Sequence, residues 1–253
     1  MKDLQILLFL LCTTWVFAQQ TSGTVTFIET VELKIDLPKD QAYLKDMIPT
    51  NQTFTKELIF DSNRSIYKDL QKVQEEENIT PDPESGNMQI KMVFTNADNR
   101  LYKDLEQGTQ KNSVDFRGKR FLIEGPLKSH KWKITGEQKQ ILDYPCQKAT
   151  FQDSARTVEA WFTTQIPVPS GPSVYGQLPG LILEVIIDDG ERKLSAQSIA
   201  FDQPTEEDFQ LPKKGKKVTA EEFKEIQEAK LKEMQEEFGG SGNVIIKTRR
   251  SNG

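Results

Sequence analysis

His130 and Cys146 carry most of the nucleophilic and acid–base chemistry that this chain can offer. His130 is the single histidine of 253 residues, which excludes a metal site built on two imidazoles and leaves a serine–histidine–carboxylate set with one candidate base. Cys146 as nucleophile with His130 as base is the strongest catalytic arrangement, because a thiolate attacks well once an imidazole takes its proton. The local sequence does not support the pair. No Gly-rich elbow surrounds Cys146, and His130 lies in the basic stretch KSHKWK. Cys146 reads better as a small buried hydrophobe. Metal handling is a further alternative, since Met88, Met92, Cys146 and His130 are soft or borderline donors suited to copper. The methionines, however, are in phase with the core face of the strand pattern MQIKMVF. The acidic runs at 75–78 and 188–189 lack the spaced carboxylates and fixed glycine of a calcium loop. The residues therefore predict a non-enzymatic protein without metal or cofactor.

The ends of the chain bear on compartment. MKDLQILLFLLCTTWVFAQQ has a lysine, a short apolar run and a V-F-A step closing at Ala18, the layout of a secretory signal peptide over 1–18. Cys12 follows Phe9, Leu10 and Leu11 rather than a small residue, which favours soluble export over lipid attachment. No other stretch approaches the ~20 apolar residues of a spanning helix, so membrane contact is at most peripheral. Residues 19–253 are expected to form one domain. With Cys12 removed, Cys146 is the only thiol and no internal disulfide forms. The net charge of −5 argues against nucleic acid, and LPKKGKK at 211–217 reads as a solvated loop leading into a helix. Three N-x-S/T triplets, at Asn51, Asn63 and Asn78, matter only in a eukaryotic secretory route.

These residues must be positioned by strands. TVTFIETVELKIDL (24–37) alternates with period two, Val25, Phe27, Val31, Leu33, Ile35 and Leu37 sharing one face. At about 3.3 Å per residue the run exceeds 40 Å, which predicts a bend or bulge near Glu29. TFTKELIFD, MQIKMVF, VDFRGKRFLIEG, HKWKIT, QKATFQD, RTVEAWFT, PGLILEVIID and KLSAQSIAFD add strands, and Asp-Asp-Gly at 188–190 reads as a hairpin turn. Residues 71–87 are polar and Pro-rich and predict a mobile loop. One helix is expected over about 219–238, with Thr219 and Glu222 as a capping box, Val218 and Phe223 as a staple, Gly239 as a stop, and a stripe of Phe223, Ile226, Leu231, Met234 and Phe238. NVIIKTRR reads as a last edge strand. The expected fold is mainly β: a curved antiparallel sheet or open half-barrel with one C-terminal amphipathic helix packed on it.

Residues 131–185 resemble the GLPGLI family of exported bacterial envelope proteins. The resemblance rests on an ordered series: Trp132; Lys139, Ile141, Tyr144, Cys146, Lys148 and Ala149; Ala160, Trp161, Phe162, Thr163, Ile166 and Pro167; Gly171 and Pro172; and Gly176-Gln177-Leu178-Pro179-Gly180-Leu181-Ile182. Gln177 stands where the motif has its first glycine. The resemblance implies a Gram-negative periplasmic or outer-membrane-associated protein, linked to TonB-dependent receptors. The expected role is binding or accessory, toward an envelope protein partner or an apolar ligand in the sheet's concavity. The binding candidates are Trp161, Tyr175, Leu178 and Pro179, with Tyr175 and Leu178 presentable at a loop tip, although the Pro- and Gly-rich stretch reads first as a structural corner feeding the apolar strand.

Overall fold

Period-two alternation sets the architecture. The computed structural model describes residues 20–35, 49–70, 98–152, 156–211, 213–238 and 246–247. In chain order the strands are β1 (Gly23–Glu32), β2 (Lys34–Ile35), β3 (Asn51–Phe60), β4 (Arg64–Asp69), β5 (Arg100–Asp104), β6 (Thr109–Phe116), β7 (Lys119–Pro126), β8 (Lys133–Ile141), β9 (Tyr144–Gln152), β10 (Thr157–Thr163), β11 (Leu181–Ile187), β12 (Arg192–Ala200), β13 (Lys216–Val218) and β14 (Ile246–Lys247), with helix α1 (Ala220–Phe238) before β14. Twelve strands form one open, curved sheet in the order β13-β7-β6-β5-β4-β3-β1-β12-β11-β10-β9-β8. The mainly β sheet with its helix is as the alternation implies. Strand β1 sits near the middle, pairing with β3 on one edge and β12 on the other, while its half-apolar alternation gives the sheet one buried face.

Three local expectations change. The irregularity in β1 falls between Thr26 and Phe27, in its pairing with β12, rather than at Glu29. Lys216 and Lys217, expected within a solvated loop, join Val218 in a strand that pairs parallel with β7 and makes one edge of the sheet. Val218 supplies the reason: it is buried with Val114, Phe121 and Phe223, and that anchor draws the preceding lysines into the ladder. Ile246–Lys247 pairs with β2 in a separate two-stranded ladder instead of extending the main sheet. Strands β4 and β5 had no clear sequence signal.

The helix starts as its capping box dictates. Thr219 N donates to Glu222 at 2.8 Å and Glu222 N donates to the Thr219 hydroxyl at 3.1 Å. Phe223 packs on Phe116 and Phe121 with ring centroids 5.9 and 5.2 Å away, and Ile226 lies against the same cluster. Leu231, expected on the core stripe, is 54% exposed. At 1.5 Å per residue it lies about 12 Å beyond Phe223 along the axis, past the patch that buries the helix's first turns. The signal segment, the loop at 71–87, the strand MQIKMVF with Met88 and Met92, and Gly239 lie outside the described residues, as do the side chains of Met234 and Phe238.

Candidate functional site

Residues 164–180 connect β10 to β11 and turn back over one face of the sheet, here the inner face. The loop is tied to itself: Leu181 N donates to Ile166 O at 3.0 Å, Ile182 N to Ser170 O at 3.0 Å and Gln177 N to Pro169 O at 2.9 Å. Ile166, Val168, Val174, Tyr175 and Leu178 are buried with Val25, Phe27, Leu58 and Phe60 in the main core. The loop is thus a plug. Two sheet residues fasten it. The buried Ser65 and Ser170 hydroxyls share a hydrogen bond of 2.7 Å, and Lys103 Nζ donates to Gly171 O and Tyr175 O, each at 2.8 Å. Burial pulls the Lys103 ammonium down to about 7. From the segment before β8, Trp132 Nε1 donates to Gly176 O at 2.9 Å.

The motif residues now have individual reasons. A Cβ on Gly180 would stand 2.0 Å from Thr163 O, so nothing larger fits. Gln177 has φ 64°, the left-handed region that glycine tolerates best, and here a side-chain residue takes it at an exposed position. Tyr175 and Leu178 are 3% and 2% exposed. They are not presented at a tip; the apolar inner face pulls both inward, and Pro179 remains exposed beside them. Trp161 lies on the opposite, outer face, paired across strands with Lys148 and Glu184. Sheet alternation therefore separates Trp161 from Tyr175 and Leu178, and the four candidates do not converge.

The outer face around Trp161 is an ion-paired platform. Lys139 Nζ sits 4.3 Å from the Trp161 ring centroid and bonds Glu184, which also takes Lys193 at 3.0 Å and the Ser195 hydroxyl at 3.1 Å. Burial pushes the Glu184 carboxyl up, but bonds from Lys139 and Lys193 outweigh it and hold the carboxyl below its ordinary value.

Cys146 and His130 are not a catalytic pair. The His130 ring stacks on Phe151 at 4.5 Å and on Tyr175 at 5.5 Å, on the inner face. Cys146 is five residues from Phe151 on the same strand, an odd spacing that puts its side chain on the other face. The sheet lies between them. The thiol, which donates to Tyr144 O at 3.5 Å, is pushed up to about 11 by burial, the reverse of an activated nucleophile. Among the described residues no group of three or more His, Cys, Asp or Glu side chains is gathered as a metal site.

The inner face has a second, polar end. Along β4 the inward side chains Ser65, Tyr67 and Asp69 step from the plug to a row of ion pairs, about 7 Å per step. Lys56 bonds Asp69 and stands 3.6 Å from Glu29, and Arg192 Nε donates to Glu29 at 2.8 Å. Half-buried Phe54 is the cross-strand neighbour of Glu29, with Lys56 Nζ 5.4 Å from its ring centroid. Tyr67 is 8% exposed, edge-on to Phe27 at 6.1 Å, and its hydroxyl has no hydrogen-bond partner. Burial, and then the Glu29 charge, push its phenol well above the ordinary value. The sequence did carry a sign of this end. Glu29 and Lys56 sit in phase with the apolar residues of their strands, where a charge has no place unless it is paired or used.

Comparison with known proteins adds an enzyme connection. No curated protein matches the chain. Residues 124–225, from the end of β7 through the plug to the first turns of α1, match the family model described as the N-glycanase peptide, N-terminal domain. Two solved structures of PNGF-II, in space groups P21 and C2, have the same fold over 81% of this chain, with TM-scores of 0.54 and 17% and 16% identity. The chain spans 32% of the length of each. The expectation of a non-enzymatic protein is thereby corrected: residues 124–225, which carry the plug, are similar to a domain of an N-glycanase, and the chain's likenesses are enzyme-related.

Proposed function

We propose that this chain is an exported, enzyme-associated recognition protein of glycoprotein processing, which takes its ligand on the inner face of the curved sheet. The observation that carries the reading is the polar end of that face. A buried apolar surface holds the plug at one end, while Glu29, Lys56, Asp69 and Arg192 are held in a partly open row at the other. Such groups are costly to place on a core face even when paired, and a row of them at its polar end is suited to a polar ligand. The match of residues 124–225 to an N-glycanase N-terminal domain supports the choice of glycoprotein as ligand. Export is supported by the apolar start of the sequence.

The test is fluorescence anisotropy with a labelled N-glycosylated peptide and the same peptide after removal of its glycan. The mature chain is expected to hold the glycosylated form at least tenfold more tightly, and Arg192→Met to abolish the difference. Equal affinity for the two peptides would overturn the reading.

A further inference from the structure

We infer that Tyr67, with Glu29, Arg192, Lys56, Asp69 and the ring of Phe54, forms a subsite for a neutral sugar carrying hydroxyl and amide groups. The inference rests on the proposed inner-face recognition and names its site and ligand class.

Two observations point the same way. The Tyr67 hydroxyl is more than nine-tenths buried and without a partner, whereas buried hydroxyls are otherwise bonded, as Ser65 and Ser170 are. It faces the ion-pair row closely enough that Glu29, Arg192 and Asp69 all act on its charge state. A phenol in that position has both a proton to give and lone pairs to receive, and nothing among the described residues uses either.

The chemistry of the row selects the ligand. Two cations, Lys56 and Arg192, already balance two carboxylates, Glu29 and Asp69. A charged ligand would leave an uncompensated charge in this balanced, largely desolvated row. A neutral ligand with donors and acceptors close together can bridge a carboxylate, a guanidinium and the phenol at once, leaving every pair intact. Phe54, half-buried on the same face, offers a ring for the C–H side of a pyranose. N-acetylhexosamine units have this combination, whether as a free oligosaccharide or on a glycoprotein.

An orphaned phenol kept for a ligand has an uncommon signature. Removing it costs the folded protein nothing, because no internal bond is lost and a desolvated polar group is relieved. The experiment uses the mature chain, N,N′-diacetylchitobiose and the N-glycosylated peptide, with calorimetric binding and thermal unfolding measured for wild type, Tyr67→Phe and Glu29→Gln. The subsite predicts that wild type binds the disaccharide, that Tyr67→Phe binds it at least tenfold more weakly with its Tm equal or higher, and that Glu29→Gln also weakens it. Unchanged affinity in Tyr67→Phe would overturn the subsite. A Tm several degrees lower in that variant would also overturn it, since the phenol would then be a structural bond. Wild type that holds the glycopeptide over the bare peptide but ignores the disaccharide would sink the subsite and leave the broader function standing. Loss of both interactions would sink the function itself.

Discussion

Lys103 Nζ lies 2.8 Å from the carbonyl of Tyr175 and, with the same ammonium, bonds Gly171 O, so one buried lysine clamps both limbs of the plug. No carboxylate is among the causes that set its proton affinity; burial alone pulls it to about 7.

That clamp gives stability a pH slope. Between about 7 and 10.5 the unfolded chain holds the Lys103 proton while the folded chain sheds it, so stability rises with pH across this window. The gain from pH 7 to 9 should be about 2 kcal/mol. Urea unfolding across that range should show the rise in wild type and a flat line in Lys103→Met, which also loses about 1–3 kcal/mol from the unpaired carbonyls. Measurement stops at pH 9, above which the raised Cys146 thiol and Tyr67 phenol act with the opposite sign.

Opposite outcomes are expected at two neighbouring motif positions. Gly180→Ala should lose about 3 kcal/mol or more, since its methyl group meets the Thr163 carbonyl. Gln177→Gly should gain about 0.5–1 kcal/mol by relieving left-handed strain at an exposed site. Chemical denaturation of the two variants beside wild type decides both.

Cys146 should behave as a core residue. Iodoacetamide at pH 7.5 is expected to leave the native chain unmodified over a period that fully labels it in urea, as the thiol is 1% exposed and raised to about 11. Cys146→Ala should retain wild-type glycopeptide binding and cost about 1–2 kcal/mol. Rapid labelling of the native chain would contradict the buried thiol.

Acid should act in part through Glu184. Its folded carboxyl is held below the ordinary value, so its contribution is present above about pH 4.5 and is lost as pH falls through the folded value. Glu184→Gln should lower stability at pH 7 by about 1–3 kcal/mol. It should also flatten the acid limb between pH 5 and 3, as read by near-UV circular dichroism.

The sequence by itself determined the elements whose signal is local. Alternation in TVTFIETVELKIDL, Asp-Asp-Gly before β12 and the Thr219–Glu222 box are decided within a few residues, and the corresponding strands, turn and helix start are where those patterns put them. Tertiary structure decided what depends on which face a residue reaches and what lies across from it. Tyr175 and Leu178 look like loop-tip residues until the loop turns inward, and Trp161 joins them in sequence while the sheet stands between them in space. Strand β4 has no alternation of its own that stands out, because its inward residues are Ser65, Tyr67 and Asp69, chosen for the plug and the ion pairs rather than for an apolar core. Glu29 and Lys56 showed as charges in an apolar phase, but only the pairing of β1 with β3 and β12 brings them to Arg192 and Asp69. Partners more than a hundred residues apart, such as Glu29 and Arg192, are fixed by strand register, which no local pattern encodes.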